Sequence, residues 1–137
     1  MKPLRAALLG LVLVFLAHPA HAQARLTIIN QSQREMTVKV MKTDAGKDIL
    51  HDRISITALG SQTVYFSETG DYFTKTMAVL SGRDPVYQKG QPFKVYVGRD
   101  GYSVMTLTFS ITESAVPLVT GGKQISKQEF DQNSSER

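Results

Sequence analysis

Beyond residue 23 the chain consists of short runs in which β-branched and aromatic residues alternate with polar ones. Met36, Val38 and Val40 take turns with Thr37, Lys39 and Met41, the two-residue period of a strand with one buried face. Ile54 and Ile56 oppose Arg53 and Ser55, and Val64 and Phe66 oppose Tyr65. Phe93, Val95 and Val97 alternate with Lys94 and Tyr96. The cleanest run covers residues 103–112: Met105, Leu107, Phe109 and Ile111 turn inward, and Val104, Thr106, Thr108 and Ser110 turn outward. Leu26-Thr27-Ile28-Ile29 starts the series. Residues 72–80 also read as a strand, but their parity is mixed. Phe73, Met77 and Val79 share a face with Lys75, which requires either cover on both faces or a bulge.

Turn residues separate these runs. Thr43-Asp44-Ala45-Gly46-Lys47, Ala58-Leu59-Gly60-Ser61, Glu68-Thr69-Gly70-Asp71 and Ser81-Gly82-Arg83-Asp84-Pro85 each break the pattern. Val86-Tyr87-Gln88-Lys89-Gly90 reads as a connector, and Gly98-Arg99-Asp100-Gly101 as a hairpin loop. About seven strands at 8–12-residue spacing predict an all-β fold, a single antiparallel sandwich whose one-sided strands bury their apolar faces against each other. In spacing and alternation, residues 25–112 resemble immunoglobulin-like and fibronectin-type-III-like modules. The disulfide and core tryptophan of antibody domains are missing, since the chain has no Cys and no Trp. The resemblance therefore implies a fold and no activity. The stretches TVYFSETGDYF and GYSVMTLTF are also similar to those of uncharacterised exported proteins, which again implies no activity.

Residues 1–22 differ from the rest. Lys2 and Arg5 precede the apolar run 6–17, and Ala20-His21-Ala22 supplies small residues at the −3 and −1 positions of a cleavage site. This is the pattern of a secretory signal peptide, too short for the ~20 residues that cross a bilayer. The expected organisation is a signal peptide at 1–22, a β-sandwich domain at 23–116 and a flexible tail at 117–137. Ser126-Lys127-Gln128-Glu129 in that tail has capping-box spacing, so a short helix is expected there. The expected location is periplasmic or secreted.

Composition removes most chemistry. Without Cys there is no disulfide, thiol nucleophile or Cys-ligated metal. Sixteen basic residues against twelve acidic ones, two of the basic ones in the leader, is too mild a balance for a nucleic-acid partner. Of three His, only His51 follows the leader. It could serve as a base with Asp52, Asp48 or Asp44 orienting it, but Gly101-Tyr102-Ser103-Val104-Met105 lacks the closing Gly of a nucleophile elbow. The aspartates at 44, 48, 71, 84 and 100 sit in turns, where Asp bonds to nearby backbone without any metal. No cofactor and no metal site are expected. Two glycosylation triplets, Asn30-Gln31-Ser32 and Asn133-Ser134-Ser135, read as chance matches.

What remains is surface. Tyr65, Tyr96 and Tyr102 should point outward and would form an aromatic platform if their strands were neighbours. Arg99 and Asp100 tip the hairpin. Lys39, Lys75, Lys89, Lys94, Arg83 and Arg99 read as cations spread over solvated faces and strand edges. The expected function is a non-catalytic exported module that binds another extracytoplasmic protein, through the tyrosines or through an open sheet edge. The alternatives are a secreted inhibitor of a protease- or lysozyme-type hydrolase, with its loop at 98–101 or 81–85, and a domain binding a glycan or small ligand.

Overall fold

A computed structural model describes residues 23–114 and 117–136; the expected signal peptide at 1–22 lies outside the described residues. The described residues are all-β with one short helix near the C-terminus. The strands are β1 (Ala24–Asn30), β2 (Glu35–Asp44), β3 (Lys47–Ile56), β4 (Ser61–Phe66), β5 (Gly70–Val79), β6 (Val86–Gly90) and β7 (Phe93–Val95). They continue as β8 (Val97–Gly98), β9 (Gly101–Tyr102), β10 (Val104–Phe109), β11 (Ile111–Thr112), β12 (Leu118–Val119), β13 (Gly122–Gln124) and β14 (Ser134–Glu136), with helix α1 at Lys127–Asp131.

Two sheets carry the fold. The smaller has the order β10-β1-β4, and the larger β13-β6-β5-β2-β3-β14, with β7 also paired to β5. Leu26, Ile28, Val64, Phe66 and Phe109 of the small sheet bury against Met36, Val38, Val40, Ile56, Tyr72 and Ala78 of the large one. Two loops carry the chain between the sheets and are stitched together. Asn30 N–H donates to the Gly60 carbonyl (2.9 Å), and Leu59 N–H to the Ser32 carbonyl (3.1 Å). The Asn30 side chain is fully buried and completely used. Its Nδ2 donates to the Arg34 and Thr57 carbonyls, and its Oδ1 accepts from the Ser32 N–H and hydroxyl. That amide has no room to carry a glycan.

The strand set departs from about seven antiparallel strands in three ways. First, β1 and β10 run parallel, from Arg25 opposite Val104 to Asn30 opposite Phe109. Alternation shows which face a residue takes, not the direction of its neighbour. Second, residues 86–90, expected as a connector, form β6 inside the large sheet. Gln88 masks it: a polar side chain that is buried and donates to the Val119 and Thr120 carbonyls (3.1 and 2.6 Å). Third, the segment expected as a flexible tail is docked. β12 pairs with β11, β13 with β6 and β14 with β3. The short helix is where the capping box places it, and Ser126 Oγ accepts from the Glu129 N–H (3.0 Å).

Docking also resolves the mixed parity of residues 72–80. Tyr72, Thr74, Thr76 and Ala78 face the core. Phe73 and Lys75 face the C-terminal segment and are buried too.

Candidate functional site

Strand β10 is a sheet edge by construction. Its one strand partner among the described residues is β1. Arg25 N–H donates to the Ser103 carbonyl (3.0 Å) and Gln31 N–H to the Phe109 carbonyl (2.8 Å). Odd-numbered backbone groups therefore face β1. By the alternation of a parallel ladder, those of Val104, Thr106 and Thr108 face the open side.

The next even position is closed. Thr120 N–H donates to the Ser110 carbonyl (3.0 Å), and Ser110 N–H to Thr120 Oγ1 (3.1 Å). There β12 occupies the edge position, antiparallel to β11. The chain then leaves. Gly121 takes φ +84°, a left-handed conformation that glycine adopts without strain. Gly122 settles against β6 so closely that a Cβ would lie 2.1 Å from the Lys89 carbonyl oxygen. The chain thus fills the edge for two residues and abandons it, leaving the outer side of residues 104–108 with no strand partner among the described residues.

Beneath this edge the sandwich is open. A cavity of about 320 Å³ lies there, lined by Leu26, Phe93, Met105, Leu107, Phe109 and Thr74; it falls at the low end of the roughly 300–1,000 Å³ of small-ligand sites. Its walls are the inward side chains of β1 and β10 on one side and of β5 and β7 on the other. An unpaired backbone edge thus lies next to an apolar recess, the two parts that strand addition uses: main-chain bonds for affinity and a pocket for alternate side chains.

The residues named from sequence fall elsewhere. Tyr65, Tyr96 and Tyr102 are exposed, as expected. They lie on β4, at the β7–β8 junction and on β9, and no ring contact joins them. Tyr65 instead forms a cross-strand row with Arg25 and Val104. Tyr96 lies over Gly98, where a Cβ would meet its hydroxyl at 2.2 Å. Arg99 and Asp100 are exposed at the tip of the β8–β9 hairpin, where Gly98 pairs with Gly101. This hairpin is braced: Thr69 Oγ1 accepts from Val97 N–H (2.9 Å), and Ser103 Oγ from Tyr96 N–H (2.9 Å).

His51 stacks on Phe66 with centroids 4.8 Å apart, and its Nε2 lies 2.8 Å from the Tyr65 carbonyl oxygen. Among the described residues no group of His, Cys, Asp or Glu is placed to hold a metal. Nor is any helix there long and apolar enough to cross a membrane.

The β10 edge was legible in part. Its alternation is plain, but its openness depends on where residues 118–122 go, which no local pattern encodes. No protein-family model matches the chain, and searches of curated proteins and of solved structures returned no match. Geometry alone carries the functional argument.

Proposed function

We propose that this chain is a non-catalytic exported module with an immunoglobulin-like sandwich. It binds another extracytoplasmic protein by taking up an extended segment of it as an added strand on β10. The observation that carries this reading is the unpaired backbone of Val104, Thr106 and Thr108 beside the apolar recess. The added strand lies in line with β12, antiparallel to β10. Its alternate side chains are apolar and enter the recess between Leu107 and Phe93. The leader motif supports export.

Thr106→Pro provides the test, because it removes an outward N–H without touching the β1 ladder, and proline is tolerated on sheet edges. A photo-crosslinker at Thr108 should join a single extended segment of the partner. Thr106→Pro should abolish that product while the melting temperature stays within a few degrees. An undiminished product would refute strand addition.

A braced hairpin tipped by Arg99 and Asp100 favours a second reading, a secreted inhibitor of a hydrolase. Rigid loops bind with little loss of conformational freedom. An Arg99→Ala/Asp100→Ala protein that inhibits a sensitive hydrolase as well as the parent would reject it.

A further inference from the structure

The register of the large sheet lines up five basic side chains that lie far apart in sequence. Lys39 of β2 is opposite Arg53 of β3 and Lys75 of β5. Lys75 is opposite Lys89 of β6, and Lys89 opposite Lys123 of β13. Strands lie about 4.8 Å apart, so this is a straight file of cations, one per strand, on the face away from the core. Like charges directly opposite are destabilising. None of the five forms an ion pair among the described residues.

Helix α1 covers the middle of the file. Lys39 Nζ donates to the Phe130 carbonyl (2.9 Å) and to Asn133 Oδ1 (2.7 Å). Lys75 Nζ donates to the Glu129 carbonyl (2.8 Å) and to that of Gln132. These carbonyls belong to the end of the helix, where backbone acceptors have no partner within the helix and carry partial negative charge. Phe130, itself buried, places its ring 4.7 Å from Lys39 Nζ. Burial, first of all, holds both amines below their ordinary value of 10.5. Arg53 adds to this at Lys39 and Asp131 opposes it; at Lys75, Lys39 and Lys89 add to it, and Glu129 and Asp48 oppose it. The ends of the file are open: Arg53 and Lys123 are exposed, and Lys89 Nζ lies 4.7 Å over the Phe73 ring.

We infer that this file is a binding site for a linear polycarboxylate of the uronic-acid polysaccharide class, and that residues 127–136, helix α1 and strand β14, are its internal competitor. One carboxylate per sugar meets one cation per strand. A carboxylate also brings a full negative charge to each ammonium, where a backbone carbonyl brings only the end of a dipole. The competitor is weak by design. Its helix has five residues, too few to persist alone, and is held by Phe130 and by the two lysines the polymer would claim. The site lies on the other sheet from the β10 edge and is independent of the strand-addition reading.

Polygalacturonate is the probe, titrated into the purified protein. Phe130→Ala loosens the helix and should tighten binding about tenfold, because a larger fraction of molecules has the file uncovered. Amides of α1 and β14 should exchange faster at saturating polymer. Lys89→Gln/Lys123→Gln touches neither helix contact and should weaken binding about tenfold, whereas Lys94→Gln, off the file, should leave it unchanged. Unaltered affinity in Phe130→Ala or in Lys89→Gln/Lys123→Gln overturns the site. So does unchanged exchange in α1 at saturation. Tighter binding of inorganic polyphosphate than of polygalacturonate overturns the ligand class.

Discussion

Leu59 adopts φ +61° in the turn between β3 and β4, a left-handed conformation that a branched side chain resists, and it is 66% exposed. Nothing in its burial offsets the strain, which costs roughly 1–2 kcal/mol per residue. Leu59→Gly should therefore raise the unfolding free energy by about 1 kcal/mol in urea melts, part of the relief being offset by glycine's greater freedom when unfolded. Arg34 is the opposite case, fully buried with a partner at each guanidinium nitrogen. Its Nε and Nη2 donate to the two Glu113 carboxylate oxygens (2.8 and 3.1 Å), and its Nη1 to the Ala78 and Asp84 carbonyls (3.1 and 2.9 Å). The hydrogen bonds from Arg34, and then the charges of Arg34 and Arg83, hold the Glu113 carboxyl below its ordinary value of 4.5. A depressed carboxylate contributes stability that is present above pH 4.5 and is lost as pH falls through the lowered folded value. Glu113→Gln should lower the melting temperature by several degrees at pH 7 and flatten the acid side of a melting-temperature-against-pH profile. A parallel downward shift at every pH would argue that the charge is idle. Neither residue announces itself in sequence: Arg34 sits in a polar break and Glu113 in an apparent loop, and only their meeting across 79 positions gives either a role.

Among the strands, alternation identifies the buried side where one face meets the core and the other meets water. β4 and β10 are such strands, and their inward and outward residues fall as the pattern predicts. β2 and β5 do not fit that rule, because the C-terminal segment covers their second face. Lys39 and Lys75 therefore become buried although their side-chain type says surface. The cation file was invisible for the same reason: it exists in the register, not in the spacing. β5 and β6 carry a further consequence. Thr76 and Gln88 face each other across these strands, and Thr76 Oγ1 and Gln88 Oε1 are buried without hydrogen-bond partners. A hydroxyl desolvated without a bond costs roughly 1–3 kcal/mol. Thr76→Val keeps the shape and removes the hydroxyl, so it should stabilise the protein by about 1 kcal/mol in the same urea melts. A loss of similar size would mean that a bond to this hydroxyl forms in solution.

Over the whole molecule, the C-terminal segment acts as a clasp. β13 covers the β6 edge of the large sheet, α1 crosses its outer face, and β14 covers the β3 edge. Short strands thus cover part of each outer strand of the large sheet, Gln88–Gly90 of β6 and Lys47–Ile49 of β3, and blunt edges that invite uncontrolled pairing, while in the small sheet β10 and β4 have β1 as their one strand partner among the described residues. The asymmetry separates the two proposed surfaces: on the small sheet the β10 edge, which lies beside the recess, and on the large sheet one face guarded by a weak helix. It also fixes what deletion should do. Ending the chain at Gly121 removes the buried Phe130 ring, whose burial stabilises by roughly 1.5–3 kcal/mol, together with two paired strands. The melting temperature should fall by about 10 °C or more, and light scattering should show self-association through the uncovered β3 and β6 edges. Phe130→Ala loses the ring but keeps β13 and β14 in place, so it should show part of the thermal loss without the association. If the truncated chain stays monomeric, the clasp's role lies in the file of lysines beneath it rather than in protecting the edges. If Phe130→Ala associates as readily as the truncation, the strands depend on the helix and the segment docks as a single unit.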